Sequence, residues 1–166
     1  MHEPSGLRVE SATEPDVLAL AELFDRYRVF YGRASELEAA VGFVRHQVHE
    51  GPTRFFLAKL DGTQIGFVHV LPSFDTLAMR TAWILEDLYV DEAFRGRGAA
   101  AALLAHVESF ASATGATRIS LTTAHTNLPT QRRYVAHGYR LDETFRAYHR
   151  TVGEPLAAAL SHDVEL

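Results

Sequence analysis

Apolar side chains recur every three or four residues over the first third of the chain, alternate through its middle, and return to helical spacing twice more. Leu7 to Ala12 has the composition of a short strand. Thr13 then offers an N-cap oxygen, Glu14 and Asp16 suit the positive end of a helix and Pro15 suits its first turn, so a helix starts near residue 14. Leu18, Ala21, Leu23, Phe24, Tyr27 and Phe30 or Tyr31 carry its apolar face until Gly32 interrupts it. Ser35 with Glu38 reads as a capping box for a second helix, whose face is Leu37, Val41, Val44 and Val48 and which ends at Gly51-Pro52.

From Thr53 the period falls to two. RFFLAKL, Asp61-Gly62 and QIGFVHVL predict a hairpin on a tight turn, and Phe55, Phe56, Phe67 and Phe74 are its core or rim. Pro72 to Leu77 reads as a loop and Met79 to Val90 as a longer strand rich in aromatic and β-branched residues. After VDEAF, the segment RGRG leads into AAAALLAHVESFASATG, a helix of about four turns closed by Gly115. Thr117 to Thr123 predicts a strand, Asn127 caps a helix to about His137, Gly138 to Tyr148 resumes a β pattern, and the Ala-rich tail from Gly153 predicts a short helix. The order βααβββαβαβ defines a mixed α/β domain over residues 1–166. Its last βαβ unit implies one parallel strand pair joined by a right-handed crossover.

A chain of 166 residues, 47% hydrophobic and 22% charged, accounts for one core of ordinary size and argues against disorder. It has no cysteine, which excludes a disulfide framework, a Cys-containing zinc site and a thiol nucleophile. MHEPSGL lacks the pattern of a signal peptide and no apolar run approaches the roughly 20 residues of a membrane span, so a cytoplasmic protein without a membrane partner is expected. The net charge of −5 opposes general adhesion to nucleic acid and favours cationic partners. Arg132, Arg133, Arg140, Arg146 and Arg150 cluster late in the chain, but acids are interspersed among them. His46 and His49 lie three apart on a predicted helix without a third ligand, which reads as a solvated helix face; no metal is expected.

The strongest local signal is Arg95-Gly96-Arg97-Gly98-Ala99-Ala100, placed where a strand gives way to a helix. Consecutive unpaired N–H groups at the positive end of a helix dipole bind phosphate, and the small residues let it approach. The loop lacks the Gly-Lys-Ser/Thr ending of a P-loop. Position 101 is Ala, where a dinucleotide fingerprint needs a third Gly, and the next strand ends in Thr122 and Thr123 rather than an acid.

This segment resembles motif A of the GNAT superfamily of acyl-CoA N-acyltransferases, Gln/Arg-x-x-Gly-x-Gly/Ala, through Arg95, Gly98 and Ala100. The preceding Trp83 to Phe94 looks like the family's fourth strand. Asn127 to Thr130 and Tyr134 to Tyr139 are similar to its Asn-x-x-Ala, Tyr and Gly-Phe/Tyr pattern, with Thr130 in place of the usual Ala. Within the family, the strand and the terminal GYRLDETFRAYHR look most like the histone and polyamine acetyltransferase branch. The resemblance implies a mixed, mostly antiparallel sheet with helices on both faces. It implies acetyl-CoA as co-substrate, with the backbone of Leu88, Tyr89 and Val90 pairing with the pantetheine and the N–H groups of Arg95, Gly96, Arg97, Gly98, Ala99 and Ala100 holding the pyrophosphate.

The same resemblance makes Tyr134 the donor to the departing thiolate and lets Asn127 bond the cofactor as well as cap its helix. Glu86 orients the amine or takes its proton. By strand alternation it shares a face with Leu88, with Asp87 on the other side unless a bulge intervenes. Glu86, Asp87, Asp91 and Glu92 together suit a cationic substrate, such as a small amine or a lysine side chain. The implied activity is direct acetyl transfer to a primary amine in a ternary complex; a non-catalytic acyl-CoA-binding sensor is the alternative. Pairing of C-terminal strands across a two-fold implies a homodimer.

Overall fold

The computed structural model describes residues 6–153. Their elements run β1 (Leu7–Ser11), α1 (Val17–Phe30), α2 (Leu37–His49), β2 (Arg54–Leu60), β3 (Thr63–Asp75), β4 (Arg80–Val90), α3 (Ala99–Ala113), β5 (Ile119–Leu121) and α4 (Leu128–Ala136), with single 3-10 turns at Glu14–Asp16 and Glu92–Phe94. The chain divides after Thr122 into two compact units, the first holding the whole sheet and the second holding α4. No helix among the described residues is long and apolar enough to cross a membrane. The helix expected in the tail after Gly153 lies outside them.

The sheet runs β1-β2-β3-β4-β5, antiparallel except for the β4–β5 pair. β2 and β3 meet at Asp61 and Gly62, whose φ values of 48° and 84° are the two left-handed residues that a tight two-residue hairpin turn requires. β3 continues through the segment expected as a loop, with Pro72 opposite Trp83 and Asp75 opposite Arg80. The register of β2 on β3 stops at Val70. Beyond it β3 has one neighbour among the described residues, and a strand with one neighbour tolerates a proline because half of its N–H groups need no partner.

Helices cover both faces. Val17, Leu20, Leu23 and Val44 of α1 and α2 pack on Phe55, Leu57, Phe67 and Tyr89. On the opposite face α3 covers Phe56 and Trp83: Phe110 lies 5.0 Å and 4.8 Å from their ring centroids. Phe74, by contrast, is 70% exposed and forms the rim.

Three expectations change. Ser35 does not cap α2; its hydroxyl donates to Asp25 Oδ2 (2.5 Å), and Asp25 Oδ1 accepts the Glu36 N–H (2.9 Å), so a carboxylate on α1 caps the next helix. The parallel pair is β4 with β5, joined through α3, one unit earlier than expected. The final strand of the βααβββαβαβ order is absent, because Gly138 to Tyr148 carry no strand. There Asp142 Oδ1 accepts from the N–H groups of Thr144 (2.8 Å) and Phe145 (3.0 Å), a local side-chain turn that competes with a ladder.

Candidate active site

The phosphate-loop candidate has the geometry its sequence predicts. Gly96 and Gly98 have φ of 76° and 84°, and a Cβ built on either meets nothing within 4 Å, so left-handed backbone rather than crowding calls for glycine. Gly98 is the N-cap of α3, and the first helical bond is Ala102 N–H to Gly98 O. The N–H groups from Gly96 to Ala101 therefore donate to no acceptor among the described residues. Arg95 Nε donates to the Val90 carbonyl (3.1 Å), and its guanidinium stands over Phe30 and Tyr89, 5.3 and 5.9 Å from the ring centroids. Arg97 stands 5.5 Å over Phe94.

Upstream of that loop β4 loses a neighbour. It pairs with β5 only from Trp83 to Leu85, so from Glu86 to Val90 its second edge has no strand beside it among the described residues. Leu88, Tyr89 and Val90 lie on this stretch.

At the same point β4 is bulged. Asp87 lies opposite His69 and Leu85 opposite Val70, leaving Glu86 as the extra residue. The bulge reverses the phase of the strand. Trp83 packs on α3, whereas Tyr89 packs with Phe67 and Tyr27 on the α1 face, and Asp87 lies on that second face with Tyr89. Alternation counted from Trp83 thus fails across the bulge, while Asp87 lies on the side away from Leu88, as expected. Glu86 is exposed and Asp87 is half-buried.

Asp87 belongs to a polar chain that sequence reasoning missed. Its Oδ1 accepts from the Tyr27 hydroxyl (2.6 Å) and its Oδ2 lies 3.0 Å from His69 Nδ1. His69 Nε2 lies 2.9 Å from Thr53 Oγ1, which donates to Gln47 Oε1 (3.1 Å). The His69 ring is 4% exposed, stacked on Phe55 at 4.0 Å and 4° and edge-on to Phe43. Burial first, then the charge and hydrogen bond of Asp87, push the Tyr27 hydroxyl far above its ordinary pKa, so it remains a donor. Burial and Asp87 raise Tyr31 as well. The available signal was the polar His within FVHVL, an otherwise apolar buried strand.

In the second unit, Asn127 Oδ1 accepts from the Thr130 N–H (3.4 Å), capping α4 as expected, and Pro129 sits in the first turn. Tyr134 is buried on α4, with its ring 5.7 Å from Tyr139. His46 and His49 pair with Glu50 (3.8 Å) and Glu14, and no cluster of three or more metal-ligating side chains occurs among the described residues.

A strand edge opens beside a glycine-started helix, and comparison with known proteins identifies the class of fold to which this geometry belongs. Residues 17–139 match the acetyltransferase (GNAT) family, and the chain belongs to that family. An uncharacterized N-acetyltransferase of Bacillus subtilis (strain 168), YhfO, is 32% identical over 142 residues, 86% of this chain and 95% of that protein. A crystal structure of a probable acetyltransferase has a TM-score of 0.85 and 33% identity, covering 89% of this chain and 99% of that one. An aminoglycoside N-acetyltransferase, AAC(6')-Iy, solved in complex with CoA, shares the fold at a TM-score of 0.75 and 19% identity, covering 92% and 99%. The protein is an acetyltransferase, of a family that uses acetyl-CoA.

Proposed function

We propose that this enzyme moves an acetyl group from acetyl-CoA to a primary amine by direct attack within a ternary complex. The observation that carries the reading is the edge of β4 from Glu86 to Val90, which has no strand beside it among the described residues and runs into a loop whose N–H groups from Gly96 to Ala101 have no acceptor among them. A strand edge without a neighbouring strand fits the amides of pantetheine, which add as a further strand at Leu88, Tyr89 and Val90, taking the Val90 carbonyl over from Arg95 Nε. The helix start fits the pyrophosphate at Arg95, Gly96, Arg97, Gly98, Ala99 and Ala100. Acetyl-CoA supplies the thioester, and with no cysteine in the chain no acyl-sulfur intermediate forms on the protein.

Glu86 and Asp87 are assigned to the acceptor: a cationic small amine or a lysine side chain is drawn to two adjacent carboxylates at the bulge. Attack of the neutral amine on the thioester carbonyl forms the C–N bond and breaks the C–S bond; Tyr134 gives the departing thiolate its proton and regains one, through solvent, from the proton that the new amide nitrogen sheds. Asn127 bonds the cofactor while capping α4. A homodimer belongs to the same reading, since Leu141, Phe145, Tyr148 and Val152 are exposed apolar side chains that a second copy would cover. Light scattering should then give twice the chain mass, and a monomer mass refutes the pairing.

The test is release of free CoA thiol from acetyl-CoA with spermidine, kanamycin, free amino acids and a lysine peptide as acceptors, against a blank without acceptor. Saturable release with one class is expected. Glu86→Gln should raise the KM for the amine, and Tyr134→Phe should lower kcat tenfold or more while acetyl-CoA affinity is retained. Wild-type protein that binds acetyl-CoA yet acetylates no amine refutes the acceptor class; protein that does not bind it refutes the cofactor assignment.

A further inference from the structure

The chain Tyr27–Asp87–His69–Thr53–Gln47 is more than the packing of β3 requires. A buried strand position is most cheaply filled by an apolar residue, yet here an imidazole is stacked flat on Phe55 and bonded at both nitrogens. Thr53 Oγ1 lies 3.1 Å from Gln47 Oε1 and 2.9 Å from His69 Nε2, and its one hydroxyl proton serves one of the two at a time. Between His69 Nδ1 and Asp87 Oδ2, 3.0 Å apart, there is one site for a proton. Tyr27 meanwhile donates to the other oxygen, Oδ1, and so fixes the carboxylate plane. Asp87 keeps 13% of its side chain exposed while His69 keeps 5%, so an acceptor reaches the carboxylate and not the ring.

Resting on the amine-acetylation reading above, we infer that His69 is a positioning residue for acetyl transfer: it holds the Asp87 carboxylate toward the acceptor ammonium and shares with it the site that receives the ammonium's proton. The step balances within the pair. The N–H bond of the ammonium breaks, its electron pair stays on nitrogen as the nucleophile, and the proton passes to Oδ2 of Asp87 and lies between it and His69 Nδ1. Solvent removes that proton after the acetylated product leaves. Among the described residues of the first unit, the other titratable groups around Asp87 are Tyr27 and Tyr31 of α1 and Glu86 of β4; α2 contributes Gln47 and Phe43, and β2 contributes Thr53 and Phe55, none of which titrates. This divides the two carboxylates at the bulge: exposed Glu86 attracts the cation, and Asp87 with His69 behind it discharges the cation.

His69→Asn tests this, because its amide can still donate to Asp87 but cannot take up a proton. With whichever of spermidine, kanamycin or the lysine peptide the wild type acetylates, kcat should fall about 100-fold near neutral pH with the KM for the amine within about twofold. The deficit should close as pH approaches ~10, where a primary amine arrives neutral and no acceptor of its proton is needed. An unchanged kcat, or a deficit equal at every pH as a packing defect would give, overturns the inference. Thr53→Val, which releases the His69 Nε2 bond without removing the ring, should give the same pH-dependent deficit to a smaller degree and serves if His69→Asn does not fold. In imidazole 15N spectra, Nδ1 of His69 should show a hydrogen-bonded proton that Asp87→Asn abolishes; absence of that proton across the titration overturns the inference independently of turnover. A silent wild type overturns the amine reading and this inference together, whereas an active wild type with unaffected variants overturns this inference alone.

Discussion

Asp16 ties together three separate stretches of chain. Its Oδ2 accepts from the N–H (2.9 Å) and hydroxyl (3.0 Å) of Thr13, and its Oδ1 accepts from Lys59 Nζ (2.7 Å) and Gln64 Nε2 (3.1 Å). Burial pushes the carboxyl up, but the bonds from Lys59 and Thr13 outweigh it and hold Asp16 below its ordinary value of 3.8. The same bonds, with one to Glu10, hold Lys59 above 10.5. The two shifts act at opposite ends of the pH scale. A carboxyl lowered in the folded state contributes stability that is complete above its unfolded value and is lost as pH falls through the folded one. A raised ammonium contributes stability that is complete below 10.5 and is lost as pH rises through its folded value. Asp16→Asn should therefore cost on the order of 2 kcal/mol in urea unfolding near neutral pH, and the gap to wild type should close in acid. A gap that persists below the folded pKa of Asp16 would assign the loss to packing rather than to charge. Lys59 is the only lysine of the chain, and its role depends on β2 lying beside the Thr13 turn.

At the scale of elements, legibility followed locality. Asp61-Gly62 marked a hairpin because both residues must be left-handed, a demand visible in two letters. The glycines at 96 and 98 marked the start of α3 for the same reason. What depended on a distant neighbour was hidden. Ser35 and Glu38 have the spacing of a capping box, but Asp25 on α1 takes the Ser35 hydroxyl and caps α2 in its place. Gly138 to Tyr148 alternate like a strand, yet a strand exists only when another lies beside it, and Asp142 offers the backbone a nearer acceptor. The bulge in β4 is the most consequential of these. No residue in TAWILEDLYV announces it, since it arises from the register with β3, and it alone decides that Asp87 rather than Glu86 turns toward Tyr27 and His69. The loop at the start of α3 was therefore legible residue by residue, and the bulge in β4 only as a pair of acids, Glu86 and Asp87.

Across the whole molecule, ligand binding and folding are one equilibrium, and the loop at the start of α3 offers a way to read it. A ligand present at about 100 times its Kd stabilises the folded state by ~2.7 kcal/mol. For a chain of this length that is a rise of roughly 5–10 °C in thermal midpoint. Gly98→Ala places a Cβ in open space, so its cost without ligand is the left-handed φ of 84° alone, on the order of 1 kcal/mol. Gly115, at the far end of α3 with φ of 71° and only an Arg80 side-chain nitrogen within 4 Å, carries the same backbone cost. Its separation from the loop is about 25 Å along a 15-residue helix. Both variants should melt a few degrees below wild type in the absence of ligand. With acetyl-CoA, Gly115→Ala should regain the full wild-type increment, while Gly98→Ala should regain less than half of it, because its new methyl group occupies the approach to the N–H groups from Gly96 to Ala101. Equal increments in the two variants would show that acetyl-CoA does not use the helix start, and the pyrophosphate assignment would fall even if acetyl transfer stood.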